Sequence, residues 1–265
     1  LEVGTGLFGL TLPALLRAES TSPSKKKEMS CIFLFLAGGP SHYETFDPKP
    51  NATEGIRGIW KPTKTNVPGI QICEKLPLLS KIADKYAIVR SWQGKSGSHD
   101  GGSQHVTSGV FPARGKQFYP NFGCVVAALQ GIRVSGVAPH IGLPVAARYT
   151  YPSAYLGPSY SPYNITGDPS AKNFKVDPLT LPKYRLESRR GLLSQIDNLG
   201  RLADAESKSL HARDQFVEEA YSTLTSGRIQ DAANLSKEPE KLRERYGMNV
   251  YGQRVLLARR LVEAG

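Results

Sequence analysis

The sequence predicts an α/β fold built on a mostly parallel sheet, and three observations carry that prediction. Ser30–Ala37 is a continuous apolar run of strand length that ends in Gly38-Gly39-Pro40, the pattern of a strand buried on both faces and stopped by a turn. Leu76–Lys85 has helical spacing through Leu78, Leu79, Ile82 and Ala83, with Pro77 in its first turn. Tyr86–Arg90 then reads as a second buried strand. Strand, helix and strand make a βαβ-like unit with a right-handed crossover, so both strand ends open onto one edge of the sheet.

The remaining elements follow in chain order. Residues 5–18 are apolar with small residues, and a polar run follows through Lys25-Lys26-Lys27. Residues 1–28 therefore read as the remnant of an export signal and a polar linker, against the alternative of an amphipathic helix packed on the domain. Residues 29–265 form the domain. After residue 20 nothing approaches the roughly 20 apolar residues that span a bilayer. Phe122–Leu129 is a short apolar helix after Pro120-Asn121, and Leu143–Ala147 a third strand after Gly142. Residues 149–183, rich in proline and containing Tyr149, Tyr151, Tyr155, Tyr160 and Tyr163, read as a long irregular but ordered excursion. From Ser188 the chain turns helical. Leu192, Ile196, Leu199 and Ala203, then Val217, Ala220, Tyr221 and Leu224, follow the spacing of amphipathic helices. Pro239 and Gly247 bracket another helix, and Val250–Ala264 is a last one with Tyr251, Val255, Ala258 and Val262 on a shared face. Two or three strands beside so much helix imply further sheet downstream, so the domain is expected to be incomplete at its C-terminus.

Composition narrows the class of protein. With 265 residues, 40% apolar and 22% charged, the chain is one large globular domain or most of one. Its 34 basic and 23 acidic residues leave a formal charge of +11, but the signs interleave in the helical half and no nucleic-acid motif accompanies them. The charge suits anionic substrates or envelope polymers. Cys31, Cys73 and Cys124 are too widely spaced for a disulfide framework or a zinc pattern and read as small hydrophobes.

Two clusters carry candidate chemistry. His42, Glu44 and Asp47 follow the first apolar run, where open α/β sheets place their ligands, and a His with carboxylates suits a divalent metal. The alternative is that Asp47 caps the turn before Pro48 and His42 bonds backbone. The second cluster, Ser96–Gly109, follows the second strand and contains Ser98, His99, Asp100, Ser103 and His105. Parallel strands would bring the two loops to one cleft, with His42 and Asp47 facing His99 and Asp100. Its glycines expose backbone N–H groups to an oxyanion, and Ser98 or Ser103 could act as nucleophile. The alternative is a Gly/Ser-rich loop with incidental histidines. His140 and His211 are isolated and read as structural or solvated.

IFLFLAGGPSH (Ile32–His42), TFDPKP (Thr45–Pro50), the segment Asn66–Ser91, HDGGSQHVTSG (His99–Gly109) and the ending Tyr246–Gly265 together resemble the bacterial "domain of unknown function 1501" family, over essentially the whole chain. That family resembles the alkaline phosphatase and sulfatase superfamily. The resemblance implies a doubly wound, mostly parallel α/β fold in an exported protein of the periplasm or cell envelope. It implies a divalent metal (zinc, manganese, calcium or magnesium) at the carboxyl ends of the strands. It places His42, Glu44 and Asp47 in the first half of the metal site and the loop around His99 where the superfamily carries its nucleophile; Asp100 and His105 of that loop are further candidate ligands if the protein is a metal-dependent hydrolase. Two departures stand out. The nucleophile position falls near His99 rather than on Cys, Ser or Thr, which leaves Ser98 or Ser103 to substitute, or a metal-activated water to attack. Position 44 is Glu where Asp is expected in most relatives.

Two functions follow. The first is a metal-dependent hydrolase of small-molecule or polysaccharide sulfate or phosphate esters. The second is a non-catalytic envelope binding protein that uses residues 149–183, Tyr155 and Tyr160 included, to hold a polysaccharide or protein partner.

Overall fold

The computed structural model describes residues 29–36, 38–111, 118–144, 153–176, 187 and 208–265. The chain divides into two compact units, Leu1–Cys31 and Ile32–Gly265. Of the first, residues 29–31 are described, exposed and without regular structure. The export segment expected over residues 1–28 and the helix through Leu192–Ala203 lie outside the described residues. Among those that are described, no helix is long and apolar enough to cross a membrane.

The second unit opens with Ile32–Leu36, which joins no strand among the described residues. A short 3-10 turn, His42–Glu44, follows. Strands β1 (Pro62–Lys64) and β2 (Gln71–Cys73) then pair antiparallel, with Thr63 opposite Ile72. The hairpin turn is built by Val67-Pro68-Gly69-Ile70. Proline presets the first central residue, Gly69 takes φ +84°, and the Ile70 N–H closes on the Val67 carbonyl at 3.2 Å. Ile72 and Cys73 are buried by this hairpin, and the Cys73 N–H donates to the Thr45 carbonyl at 2.7 Å.

The helix expected over Leu76–Lys85 is split into α1 (Pro77–Ser80) and a 3-10 turn, Ala83–Lys85. Asn66 accounts for the break. Its side chain accepts from the Ala83 N–H at 2.8 Å and donates to Asp84, which fixes a turn where the helix would have continued. Tyr86–Arg90 carries no ladder among the described residues. Helix α2 is His99–Ser108, and α3 is Phe122–Gln130, close to the expected Phe122–Leu129. Strand β3 (Ile141–Gly142) pairs in parallel with β4 (Tyr163–Asn164). The third strand thus lies just before the expected Leu143–Ala147, of which residues 145–147 lie outside the described residues.

Helices α4 (Lys208–Thr225), α5 (Arg228–Ala233), α6 (Glu240–Tyr246) and α7 (Val250–Ala264) complete the unit. A buried hydrophobic cluster lies here. Ile165, Ile229, Ala232, Ala233, Leu235, Leu256, Leu257 and Leu261 pack together, with Ile141, Tyr163 and Phe174 against them. The face that α7 buries is Gln253, Leu256, Leu257 and Leu261, not the expected Tyr251, Val255, Ala258 and Val262. Both stripes have helical spacing, and the two leucines in succession outweigh the valines in apolar area. Gln253, fully buried, settles the choice by hydrogen bonding: its side-chain amide donates to the Gly247 carbonyl at 2.8 Å and the Arg243 carbonyl at 3.1 Å, closing the C-terminus of α6. A side chain at Gly252 would strike the Tyr246 carbonyl at 2.0 Å, so glycine allows α6 and α7 to meet.

Candidate functional site

Each residue of the first cluster holds a part of the chain together. His42 is exposed and rests against the Tyr43 ring, with centroids 4.0 Å apart. Glu44 reaches across the loop and its Oε1 accepts from the Ile59 N–H at 2.9 Å. A carboxylate one methylene shorter would reach less far, which gives the glutamate at position 44 a local reason. Asp47 is buried, with Lys49 Nζ at 2.7 Å and Arg90 Nε at 3.4 Å from its carboxylate oxygens. Arg90 also donates to the Phe46 carbonyl at 2.9 Å and the Gln71 carbonyl at 2.8 Å. So the end of the second apolar segment does meet the loop after the first, through an arginine. A shallow cleft beside it is lined by Tyr43, Pro48, Pro50 and Ile56.

The second cluster is a helix start rather than a Gly/Ser-rich loop. Ser98 is the N-cap of α2, and its Oγ accepts from the Gly101 N–H at 3.1 Å. The Ser96 hydroxyl lies 2.9 Å from the Ser98 hydroxyl and accepts from the Ser98 N–H at 3.1 Å. A side chain at Gly101 would fall 2.9 Å from Ser98 Oγ and 3.0 Å from Ser96 Oγ, so glycine there leaves room for both hydroxyls. His99 and Asp100 occupy the first turn and are exposed. Gly109, at φ +74°, closes the helix on the His105 carbonyl. The cap at one end and the left-handed glycine at the other outweigh the poor helix propensity of Gly101 and Gly102.

Ser103 sits in the second turn, away from the cap, where its carbonyl accepts from the Thr107 hydroxyl at 2.8 Å. His105 lies between Trp92 and Phe111, with centroid distances of 5.6 and 5.7 Å. Its Nδ1 and the side-chain nitrogen of buried Gln104 have no hydrogen-bond partner among the described residues.

Residues 28–265 match the family model described as Protein of unknown function (DUF1501). The chain belongs to this family. No curated protein and no solved structure matches it.

In this DUF1501 chain the five expected metal ligands divide by their engagements. Among the described residues no group of three or more His, Cys, Asp or Glu side chains is placed to hold a metal ion. Glu44 is committed to backbone and Asp47 to two cations, so the carboxylates of the first cluster do not fit a metal as they stand.

A pair that the sequence left isolated comes together elsewhere. Cys124, in the first turn of α3, has its Sγ 3.5 Å from His140 Nδ1. The His140 ring packs on Gly123, where a side chain would fall 2.5 Å from Nε2. Burial pushes the Cys124 thiol up to about 11 and holds His140 below the usual imidazole range. Both are therefore neutral near pH 7, and the pair is an uncharged hydrogen bond between thiol and imidazole. His211 lies on α4, and its side chain is outside the described residues.

Sequence reasoning missed Ser96, Arg90 and the Cys124–His140 pair. Only the first had a local signal, the Ser-x-Ser-x-x-Gly spacing of a capped helix start.

Proposed function

We propose that this DUF1501 chain has the function of an exported, alkaline-phosphatase-like α/β hydrolase that cleaves sulfate or phosphate esters, with Ser98 as its nucleophile. The observation that supports the reading is the start of α2: two hydroxyls, Ser96 and Ser98, 2.9 Å apart at the N-terminus of a ten-residue helix. An ester anion at that end meets backbone N–H groups and the positive end of the helix dipole. The Gly101 N–H, already bonded to Ser98 Oγ, stabilises negative charge on that oxygen.

The step is a displacement at phosphorus or sulfur. Ser98 Oγ bonds to the central atom, the bond to the ester oxygen breaks, and the hydroxyl proton passes to the departing alcohol, directly or through the adjacent His99 imidazole. Water then cleaves the serine ester and releases phosphate or sulfate. Ser98 is favoured over Ser103 because it is exposed at the cap, whereas Ser103 lies in the second turn. Divalent-metal dependence belongs to the same proposal, with no ligand set assigned and no step routed through an ion.

The test is hydrolysis of p-nitrophenyl sulfate and p-nitrophenyl phosphate, with and without chelator, by the wild type and by Ser98→Asn and Ser103→Ala. Asparagine keeps the cap but cannot form the ester. Turnover that falls about 10³-fold or more in Ser98→Asn, and persists in Ser103→Ala, is expected. No turnover of either ester by the wild type, or an active Ser98→Asn, overturns the reading.

A further inference from the structure

The loop that carries the first cluster also builds a cleft. Residues 44–59 leave and return to one point, where the Glu44 carboxylate accepts from the Ile59 N–H, and closed surface loops of this kind frequently bind ligands. Backbone turns hold the loop in shape. The Asp47 N–H donates to the His42 carbonyl at 2.9 Å, the Ala52 N–H to the Lys49 carbonyl at 3.0 Å, and the Ile56 N–H to the Thr53 carbonyl at 2.9 Å. Within it lies a cleft of about 400 Å³, the size of a small-molecule site, with Tyr43, Pro48, Pro50 and Ile56 as apolar walls and Lys49 and Asn51 as polar members. Prolines have no rotamer freedom to lose when a ligand arrives and a tyrosine has little, so most of the wall is preformed.

Charge selects the occupant. Among the described residues that line the cleft, Lys49 alone is charged. Its ammonium lies 2.7 Å from the Asp47 carboxylate, but that carboxylate also faces Arg90 at 3.4 Å, so the three groups together carry a surplus positive charge. Asp47 is buried, whereas the Lys49 side chain is 43% exposed and an ammonium has three N–H donors, enough for a second acceptor. We infer that the cleft binds a small organic acid, its apolar body between Tyr43, Pro48, Pro50 and Ile56 and its carboxylate on Lys49. With such an acid bound, two carboxylates face two cations. A neutral ligand leaves the surplus charge unmatched, and a cationic one adds to it. The inference does not depend on ester hydrolysis, because none of these residues takes part in the proposed reaction.

Three probes with the same apolar body test it: phenylbutyrate, phenylbutanol and phenylbutylamine, titrated against the full chain at fixed ionic strength with ligand-observed NMR. The variants are Lys49→Gln, Lys49→Arg, Ile56→Ser, and Lys241→Gln as an exposed lysine on α6. The wild type is expected to hold the acid about threefold or more tighter than the alcohol, and the amine most weakly. Lys49→Gln brings acid and alcohol level, Lys49→Arg keeps the preference, Ile56→Ser weakens both, and Lys241→Gln changes nothing. No binding of the acid by the wild type overturns the inference. So does a preference for the acid that survives Lys49→Gln, or binding that Ile56→Ser leaves untouched, since either would put the ligand elsewhere.

Discussion

The α5–α7 region and the two apolar segments near the start of the second unit are built from the same kinds of residue and end differently. In the first, Ile229, Leu256 and Leu257 are fully buried, and Gln253 and Arg260 beside them are hydrogen-bonded, although both side-chain amide atoms of Gln230 on α5 are buried without a partner among the described residues. Arg260 Nε donates to the Ala232 carbonyl at 2.7 Å, and its other nitrogens reach Glu238 at 2.6 Å and the Asp231 carbonyl at 3.1 Å. One guanidinium thus caps the end of α5 and ties it to α7. In the second, Leu34 is 63% exposed and Val89 76% exposed, and Ile32, Phe33, Leu36 and Trp92 are exposed with them. A helix satisfies its own backbone and needs a partner for one face only. A buried strand needs neighbours on both edges and cover on both faces. Apolar character therefore becomes stability only where the rest of the element's requirements are met.

Three measurements sharpen or break that contrast. Leu257→Ala should cost about 2–5 kcal/mol in denaturant unfolding, because it leaves a cavity in the packed cluster. Leu34→Ala should stay within about 0.5 kcal/mol. Equal losses at the two positions would remove the distinction. Arg260→Ala should cost about 1–3 kcal/mol by leaving Glu238 and the Ala232 carbonyl without their donor, with Arg260→Lys recovering only part, since an ammonium cannot reproduce the fork. A silent Arg260→Ala would mean that apolar packing alone joins α5 to α7.

The smallest effect is one of pH, at the contact between α3 and His140. His140 is held below its ordinary range by burial, so the unfolded chain binds the proton more readily than the folded one. Stability should be full above about pH 6.5 and decline as pH falls below it, and His140→Gln should flatten that decline. Cys124 acts in the opposite direction, its thiol raised from 9.0 to about 11. Its contribution should be lost as pH rises from 9 toward 11, and Cys124→Ala should abolish that alkaline slope at some cost in packing. Thermal unfolding across pH checks both, and a wild type with neither slope would show the pair to be solvated.

Legibility divided along the same line. Helix α6 was readable between Pro239 and Gly247, and α3 after Asn121, whose side chain accepts from the Cys124 N–H at 3.0 Å. These signals act within one turn of chain. The β1–β2 hairpin had one as well, in Val67-Pro68-Gly69, but it was submerged in a stretch expected to lead from strand to helix. The His42 and His99 clusters were legible as polar groups following apolar runs. Their engagements were not, because Glu44 bonds a residue fifteen positions away and Arg90 reaches forty-four positions back to Phe46.

By itself, then, the sequence determined the positions of α3, α6 and α7, the family to which the chain belongs, and the two places where chemistry could gather. The tertiary structure decided which face of α7 is buried, that Ser98 caps a helix, and that Asp47 faces cations. The physical reason is range. Caps, turns and periodicity are set by neighbours within a few residues, whereas burial and ion pairing depend on segments that only folding brings together.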